Sequence, residues 1–413
     1  MQTFAEAGVD ARVLASLTRQ KINTPNHVQS DSIPALIAGR DVVIQSPTGS
    51  GKTLAFLLPL IQQLRHRGPG PRGLIVTPTR ELAIQVDAVF KALDSGLRSA
   101  LLYGGVGYHT QNQALKSGAD VVIGTPGRIL DLFEKKVFSL SRVQYMVLDE
   151  ADQMFDAGFA PDVERIIGLT YSPQTVLASA TMPGWVSRMI EKHLRDPLRV
   201  KVVAEGASLL EHGLVRTETG LKLRLLSDIL KKQSAAIVFG RTKHGVRKLN
   251  RDLQRLGHRS VELQGNMAQV ARDRVMESFR NHRADVLVAT NVAARGLDLS
   301  HVGLVVNYDL PESAEAMTHR VGRTARNGSA GRALTFITAA DHENWAKLRR
   351  QGAPVLQTLD AALLARDGGW SYVPDPVQLY GPAANGANIG GQRRRRPVGR
   401  RRSGSDRRTG KVA

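Results

Sequence analysis

Short, continuous runs of apolar and β-branched residues alternate with longer helical patterns in the first half of the chain. Both faces of such a run are apolar, so each run predicts a strand buried in a parallel sheet with helices on both sides. The predicted strands cover residues 42–45, 73–77, 100–103, 120–124, 145–148 and 175–178. This alternation of strand and helix is typical of an α/β fold.

The same alternation returns in the second half of the chain after an interruption. Residues 205–219 contain two glycines and mixed charges without a strong period, which indicates a flexible linker that we place at 205–222. The strands predicted after it cover residues 236–239, 260–263, 285–289, 304–307 and 334–337. We therefore expect two parallel-sheet domains in tandem, at residues 1–204 and 223–366.

Length and composition agree with a multidomain chain from a reducing compartment. The 413 residues suffice for two or three domains, and the absence of cysteine excludes disulfides and thiolate zinc sites. The longest apolar stretch, residues 56–61, is too short to span a bilayer, and the N-terminus lacks the basic-then-apolar pattern of a secretion signal. We therefore expect a soluble, cytoplasmic protein with no membrane partner.

The net charge of +20 points to polyanionic partners, and it is unevenly distributed. Ten basic residues and one acidic residue lie between Arg393 and Lys411, a net +9 that leaves +11 on the rest of the chain. Residues 367–413 are rich in Gly, Pro, Asn and Arg, which predicts a disordered, low-complexity tail. The tail is either a tether for a polyanion or a terminus that only keeps the chain soluble.

A candidate phosphate-binding loop, Ser-Pro-Thr-Gly-Ser-Gly-Lys-Thr, lies between the first predicted strand and a predicted helix. Glycines let backbone N–H groups turn toward phosphate oxygens, which the N-terminus of the new helix also attracts. Lys52 would reach the β- and γ-phosphates, and the Thr53 hydroxyl would bind Mg²⁺. Ser46 stands where the general motif has glycine. The nucleotide-binding residues of this loop are Thr48, Gly49, Ser50, Gly51, Lys52 and Thr53.

A second nucleotide element is Asp149-Glu150-Ala151-Asp152, at the end of the predicted strand 145–148. Adjacent carboxylates at the end of a strand are poorly explained by packing. Asp149 is placed to hold Mg²⁺ and Glu150 to polarise an attacking water. On its own, the same tetrapeptide is also compatible with a solvated acidic loop.

With these residues the chain resembles the DEAD-box RNA helicase family, and the ordered motifs of that family match residues 4 to about 338. The resemblance implies two RecA-like domains, the cofactors ATP and Mg²⁺, and an RNA partner bound through its backbone. It implies that Gln29 hydrogen-bonds the adenine edge and that Phe4 offers a stacking face. Lys21-Ile22 replaces the usual Gly-aromatic pair, and Asn26-His27 replaces Thr-Pro.

Three loops of the first domain and two elements of the second resemble the family's RNA-binding elements. Each loop of the first domain follows a predicted strand, so we expect all three at one edge of the sheet. Each loop is ordinary on its own, and it is their joint order that supports the assignment. The implied RNA-binding residues are Pro78, Thr79, Arg80, Gly104, Gly105, Thr125, Pro126, Gly127, Arg128, Arg241, Thr290, Arg295 and Gly296.

Other matches imply the machinery that couples hydrolysis to strand separation. Ser179 and Thr181 would hydrogen-bond Asp152 and, across the cleft, His319. Arg323 and Arg326, which we place near the start of a helix or in the turn before it, match the arginine fingers that stabilise the transferring γ-phosphoryl group. Asp298 would accept a hydrogen bond from the ribose, and Gln269-x-x-Arg272 fits an interdomain element. Asn291 stands where the family commonly has Asp, and Gln264 where it has His.

The catalytic residues are thus divided between the two halves of the chain. Lys52, Asp149 and Glu150 lie in the first, and Arg323 and Arg326 in the second, so hydrolysis requires domain closure. We expect a monomeric, RNA-stimulated ATPase that opens duplexes locally and non-processively, with the tail as a further RNA contact or a contact for protein partners. The alternatives are an ATP-gated RNA clamp, an RNA-annealing protein that works through the tail, and a DNA helicase.

Overall fold

A computed structural model of the protein describes residues 3–47, 49–65, 68–202, 210–291, 293–294, 301–325 and 330–373. Two sheets of seven and eight strands organise this part of the chain. We name the first sheet with its helices the N-terminal lobe and the second sheet with its helices the C-terminal lobe. The predicted linker and the tail from residue 374 onward fall partly or wholly outside the described residues.

In the described part of the chain, the N-terminal lobe contains seven strands and nine helices. The strands are β1 (Val42–Gln45), β2 (Gly73–Val76), β3 (Ser99–Leu102), β4 (Val121–Gly124), β5 (Tyr145–Asp149), β6 (Gln174–Ser179) and β7 (Leu198–Lys201). The helices are α1 (Ala11–Arg19), α2 (His27–Ile37), α3 (Lys52–Gln63), α4 (Arg80–Ala92), α5 (His109–Lys116), α6 (Pro126–Glu134), α7 (Ala151–Asp156), α8 (Ala160–Gly168) and α9 (Gly184–His193).

The C-terminal lobe contributes eight strands and six α-helices within the described residues. The strands are β8 (Leu210–Arg216), β9 (Ala236–Gly240), β10 (Ser260–Leu263), β11 (Val286–Thr290), β12 (Leu304–Asn307), β13 (Gly331–Ile337), β14 (Gln357–Leu359) and β15 (Tyr372–Val373). The helices are α10 (Lys222–Leu230), α11 (Lys243–Arg255), α12 (Gln269–Arg280), α13 (Ala314–Val321), α14 (His342–Arg350) and α15 (Ala361–Asp367), with a 3₁₀ turn at Ala339–Asp341.

The first sheet is entirely parallel, in the order β3-β4-β2-β5-β6-β1-β7. Its six predicted strands are confirmed to within about one residue at each end. β7 was not predicted, because its burial pattern alternates between partly exposed and buried positions at the sheet edge. The strands of the sheet interior are buried on both faces, as the continuous apolar runs indicated.

The second sheet follows the order β10-β11-β9-β12-β13-β8-β14-β15 and is parallel except for the final β14–β15 pair. Here the linker prediction is wrong for Leu210–Arg216. This segment forms β8, which pairs along its whole length with β13. The sequence did not predict this strand, because Gly213 has a low strand propensity and the positions before it are partly or fully exposed. Backbone pairing with β13 stabilises the strand instead.

Each sheet separates two apolar cores, because neighbouring residues of a strand point to opposite faces. In β1, Val42 and Ile44 pack into one core while Val43 packs into the other. In β9, Ile237 and Phe239 face one core and Val238 the opposite one. Within the described residues, no helix is long and apolar enough to cross a bilayer.

Lys21 explains one of the departures from the family pattern. It follows the C-cap of α1 with φ +59°, the left-handed conformation in which glycine is usual. Its backbone N–H donates to the carbonyl of Thr18, and that of Ile22 donates to the carbonyl of Leu17. The helix therefore ends in the turn that glycine favours, although the left-handed conformation is less favourable for lysine than for glycine.

The placement of β8 can be tested with two glycines of the predicted linker. A Cβ on Gly213 would lie 2.6 Å from Leu359 Cγ, whereas one on Gly220 would have nothing within 4 Å. Gly213→Val should lower the free energy of unfolding by about 1–3 kcal/mol. Gly220→Ala, the control, should change it by less than about 0.5 kcal/mol. Urea denaturation measures both, and equal tolerance at the two positions would contradict a packed strand here.

Candidate active site and nucleic-acid interface

The carboxyl ends of the parallel strands bring the predicted motifs of each lobe to one edge of its sheet. In the N-terminal lobe the phosphate loop follows β1, the acidic element follows β5, and Ser179 ends β6. These three strands are neighbours in the sheet, and the predicted RNA-binding loops follow the neighbouring set β3, β4 and β2. Strand order thus divides one edge into a nucleotide half and a nucleic-acid half.

The phosphate loop has the backbone that its sequence indicates. Gly49 (φ +83°) and Gly51 (φ +86°) adopt the left-handed conformation, while Ser46 does not. Serine is therefore tolerated at the first position, where its buried hydroxyl lies 2.7 Å from the hydroxyl of Ser50. The Lys52 ammonium donates to the carbonyls of Ser46 (2.7 Å) and Pro47 (2.8 Å), so it lies inside the loop.

Two amide side chains of α2 hold this loop from outside. Asn26 Nδ2 donates to Ser50 O (2.9 Å), and Gln29 Nε2 donates to Gly51 O (3.2 Å). The two amides also form a reciprocal capping box at the start of α2. A Cβ on Gly51 would clash with Asn26 Nδ2, so this close approach requires glycine. The predictions named Gln29 but not the loop contact of Asn26.

The structure places Phe4 differently from the expected adenine-stacking position. Its ring is 2% exposed and belongs to the apolar core beneath α1 and α2. Packing in the core, rather than an open stacking face, is therefore what this structure assigns to Phe4. Both ends of the Gln29 amide are likewise engaged with protein atoms. Adenine recognition by the two residues stays a prediction.

The acidic pair after β5 is almost completely buried beside Lys52. Burial raises the pKa of Asp149 to about 7, with Glu150 acting in the same direction and Lys52 against it. Glu150 has φ +50° and ψ +52°, a strained backbone for a residue with a side chain. Within the described residues its Oε2 atom is buried without a hydrogen-bond partner. A cation or a water at this position would satisfy both carboxylates.

Asp152, one turn further along, has the opposite electrostatic environment. Thr181 donates to Asp152 Oδ2 from its backbone N–H (2.8 Å) and its hydroxyl (2.7 Å). His319 Nε2 of the C-terminal lobe lies 3.4 Å from the same oxygen. Burial acts to raise the pKa of Asp152, but His319 and Thr181 outweigh it and lower the pKa to about 2. The four predicted coupling residues are brought together, with Ser179 accepting from the backbone N–H of Asp152.

Arg323 lies just after the C-terminal end of α13, so its placement near a helix start is wrong. Ser313 caps the N-terminus of that helix by accepting from Ala316 N, which fixes the helix ten residues before Arg323. Arg323 is 2% exposed and donates to the carbonyl of His319 (3.2 Å). Arg320 is also buried, and it donates to the carbonyl of Asp309 (2.7 Å). Burial lowers the pKa of Arg320 to about 10.

In the nucleic-acid half of the N-terminal lobe, two predicted arginines stack on tyrosines. The guanidinium of Arg80 lies 4.4 Å from the ring centre of Tyr103, and that of Arg128 lies 4.5 Å from that of Tyr108. Thr79 caps α4, and the neighbouring glycine loops have open space at Gly104 and Gly127. The predictions missed the tyrosines, because their pairing with arginines of other loops depends on strand order. The remaining predicted residues, Gly105, Thr125, Pro126 and Pro78, lie at the same edge.

The C-terminal lobe has a cleft at the carboxyl edge of β9, β10 and β11. Its volume is about 610 Å³, and it is lined by Arg241, Thr242, Lys243, His244, Gly265, Asn266 and Thr290. Arg241 and Thr290, predicted separately as RNA contacts, thus share one cleft. Thr242 caps α11 by accepting from Gly245 N, so the positive end of that helix points into it.

Ion pairs join α4 of the N-terminal lobe to α12 of the C-terminal lobe. Arg272 Nη2 donates to Glu81 Oε1 at 2.8 Å, and both side chains are less than one-fifth exposed. Arg80 Nη2 lies 3.5 Å from Asp273 Oδ2. The interdomain role that the resemblance implied for Arg272 agrees with this contact. Five predicted residues lie outside the described part of the chain: Thr48, Arg295, Gly296, Asp298 and Arg326.

Comparison with known proteins agrees with this geometry. The DEAD/DEAH box helicase family profile matches residues 26–189, and the helicase conserved C-terminal domain profile matches residues 221–328. The DEAD-box ATP-dependent RNA helicase CshA of Bacillus cereus is 36% identical over 92% of this chain and 74% of its own length. This chain belongs to the DEAD-box helicase family.

Two further comparisons define the extent of the similarity. The ATP-dependent RNA helicase DeaD of Haemophilus influenzae is 42% identical over 81% of this chain. This DEAD-box protein spans only 56% of the length of that relative. Saccharomyces cerevisiae Dbp5, solved bound to RNA and ADP-BeF₃, is 28% identical with a TM-score of 0.77, covering 88% of this chain and 97% of its own. The two sheets therefore correspond to tandem RecA-like domains.

The raised pKa of Asp149 has a measurable consequence for stability. Its folded pKa of about 7 exceeds the ordinary 3.8, so ionisation makes the native state less stable as pH rises from about 4 to about 7. Asp149→Asn should therefore gain stability relative to wild type across this window, reaching about 4 kcal/mol at pH 8. Urea denaturation between pH 4 and 8 measures the difference.

Asp131→Asn is the matched control. The hydrogen bond from Lys135 lowers the pKa of Asp131, so the ionised carboxylate stabilises the native state above about pH 4. The stability difference between Asp131→Asn and wild type should therefore not change between pH 5 and 8. A flat difference for Asp149→Asn over the same range would contradict the buried, destabilised carboxylate.

The pair between Arg272 and Glu81 should control how closely the lobes approach. Arg272→Glu places like charges together and should open the lobes, and Glu81→Arg/Arg272→Glu should restore about 1–3 kcal/mol of coupling. The chain has no cysteine, so dyes on Lys116→Cys and Lys347→Cys would report the separation by energy transfer. A double variant as open as the single one would show that this pair does not join the lobes.

Proposed function

We propose that this DEAD-box protein is an ATP-dependent RNA helicase that couples RNA-stimulated ATP hydrolysis to local, non-processive opening of RNA duplexes. The observation that carries the proposal is the position of Asp152. It belongs to the acidic element of the N-terminal lobe, is bound by Thr181 of the same lobe, and contacts His319 of the other lobe. One carboxylate therefore connects the acidic element, which would take part in hydrolysis, to the opposite lobe, which must approach for closure.

The fit of the site to a nucleotide and its metal rests on the buried polar atoms around the phosphate loop. A turn that requires Gly51, a buried ammonium at Lys52 and a Glu150 oxygen that has no hydrogen-bond partner among the described residues suit a triphosphate with a cation. Thr53 and Asp149 would hold Mg²⁺, which when bound neutralises phosphate charge as it develops. The raised pKa of Asp149 supports this assignment, because a cation there would relieve its buried charge.

The chain's own residues account for the remaining steps. Glu150 orients and polarises the attacking water through a buried carboxylate held on a strained, left-handed backbone. Lys52 leaves the carbonyls of Ser46 and Pro47 to bind the β- and γ-phosphates. Arg323 and Arg326 complete the site from the C-terminal lobe and stabilise charge on the transferring group, a contribution of about 10³–10⁵ in rate.

RNA and ATP favour the same closed arrangement. The backbone of RNA would contact the loops around Arg80 and Arg128 in one lobe and the cleft at Arg241 and Thr290 in the other. Because Arg80 also pairs with Asp273 across the lobes, RNA binding and closure share a residue. Each ligand must then raise the affinity for the other by the same factor. We further propose that the protein acts as a cytoplasmic monomer and that the basic tail adds RNA or protein contacts.

Phosphate release with and without RNA, for wild type and Glu150→Gln, tests the function. RNA should stimulate the wild-type rate, and Glu150→Gln should reduce it by about 10²–10⁴-fold while preserving ATP-dependent RNA binding. A clamp would bind RNA with ATP but hydrolyse slowly even as wild type, and an annealing protein would be indifferent to the substitution. Equal stimulation by DNA would instead favour a DNA helicase.

A further inference from the structure

The outward face of α11 is far more basic than the packing of this helix requires. Val246, Leu249 and Leu253 are buried and attach the helix to the sheet. Asn250 is buried as well, and the remaining positions of the helix carry five Lys or Arg residues and one His against a single Asp. We name this set the α11 basic face: Lys243, His244, Arg247, Lys248, Arg251 and Arg255.

The spacing of these cations destabilises the helix that carries them. Lys243, Arg247, Arg251 and Arg255 recur at every fourth position, so each lies beside a like charge on the same side of the helix. Like charges at this spacing repel and disfavour an isolated helix. An exposed face that served only solubility would mix the two signs, as α12 does with Asp273, Arg274, Glu277 and Arg280.

Neighbouring acids do not neutralise the face. Arg247 lies 3.6 Å from Glu262, and Arg255 lies 3.3 Å from Asp252, but more than half of each arginine side chain is exposed, so these pairs are weak. In the described part of the chain, neither Lys248 nor Arg251 has an ion-pair partner. Both therefore remain available to an external anion.

The α11 basic face is continuous with the cleft of the C-terminal lobe. Lys243 and His244, its first two residues, also line the cleft, and the positive end of the helix dipole points into it. Thirteen helical residues extend about 18 Å from that edge of the sheet. A nucleic-acid strand that leaves the cleft on this side would pass several phosphates along a row of cations.

We propose that the α11 basic face is an additional binding site for the RNA sugar-phosphate backbone, which extends the cleft and holds RNA beyond the core contacts. The inference rests on the proposed function, because RNA must first occupy the cleft. Nucleic acid fits this surface better than a protein does. A protein partner would need aromatic or aliphatic anchors, and the exposed residues of α11 are polar or charged, apart from Gly245.

The test compares Lys248→Gln/Arg251→Gln with Lys347→Gln/Arg350→Gln, a control of equal charge loss on α14. Fluorescence anisotropy measures affinity for RNAs of about 5 and about 20 nucleotides at several salt concentrations, with the ATP analogue ADP-BeF₃ present. The α11 variant should bind the long RNA roughly tenfold more weakly, with the slope of log K against log salt reduced by about 1.4. Its affinity for the short RNA should equal that of wild type.

In a third RNA, the nucleotides beyond the first five or so are paired with a complementary strand. Comparing it with the single-stranded long RNA shows whether the α11 basic face binds single-stranded or duplex RNA. A loss only with the single-stranded extension would assign the face to the strand leaving the cleft, and a loss only with the duplex would assign it to the substrate helix. Either result supports the inference. An equal loss for short and long RNA, or the same loss in the α14 control, would overturn it.

The proposed function fails by a different measurement. If no RNA stimulates phosphate release by the wild-type protein, the helicase assignment is wrong whatever the variants bind. A different result would count against the α11 site alone. In that case saturating short RNA stimulates phosphate release equally in wild type and in the α11 variant, and the two proteins also bind the long RNA with equal affinity.

Discussion

Parallel pairing of the strands is the constraint on which the arrangement of this protein depends. Each parallel strand must be followed by a crossover, so the loop after every strand emerges at the same edge of its sheet. The order β3-β4-β2-β5-β6-β1-β7 then determines which loops are neighbours. Residues a hundred positions apart, such as Lys52 and Asp152, belong to one site for this reason. The same constraint places Arg241 and Thr290 in one cleft of the C-terminal lobe.

Two carboxylates of the acidic element are equally buried but have different pKa values, because their neighbours differ. Asp149 is desolvated with too little compensating charge, and its pKa rises to about 7. Asp152 is equally buried, but His319 and the hydrogen bonds of Thr181 lower its pKa to about 2. The first carboxylate is suited to a cation that comes with a ligand, and the second to an ionic contact between the lobes. Chemistry at one position and coupling at the other follow from the same buried loop.

Charged contacts join the two lobes, and among the described residues each apolar core lies within a single lobe. Arg272 and Glu81 pair at 2.8 Å with little exposure, while Arg80 divides its guanidinium between Tyr103 and Asp273. Such contacts are specific in geometry but modest in strength, because each charge loses hydration when it pairs. An interface of this kind can open and close with ligand binding, which a large apolar interface would prevent.

Much of the candidate site could be predicted from the chain alone, because its signals are local. Continuous apolar runs identified the interior strands, and the glycines, Lys52 and the paired carboxylates carry their chemistry in adjacent residues. The same local patterns failed where partners are distant. β8 resembled a linker because Gly213 and its exposed ends conceal pairing with β13. The helix end before Arg323 was misplaced because the cap at Ser313 was not recognised.

The amino-acid sequence by itself determined the α/β class, the phosphate loop and the acidic element, since each depends on residues that are neighbours in the chain. Only the tertiary structure decided that Asn26 holds the phosphate loop, that tyrosines support Arg80 and Arg128, and that Phe4 lies in the core. It also decided the contrasting pKa values of Asp149 and Asp152. These properties depend on desolvation and on side chains contributed by distant strands, and no local pattern encodes either.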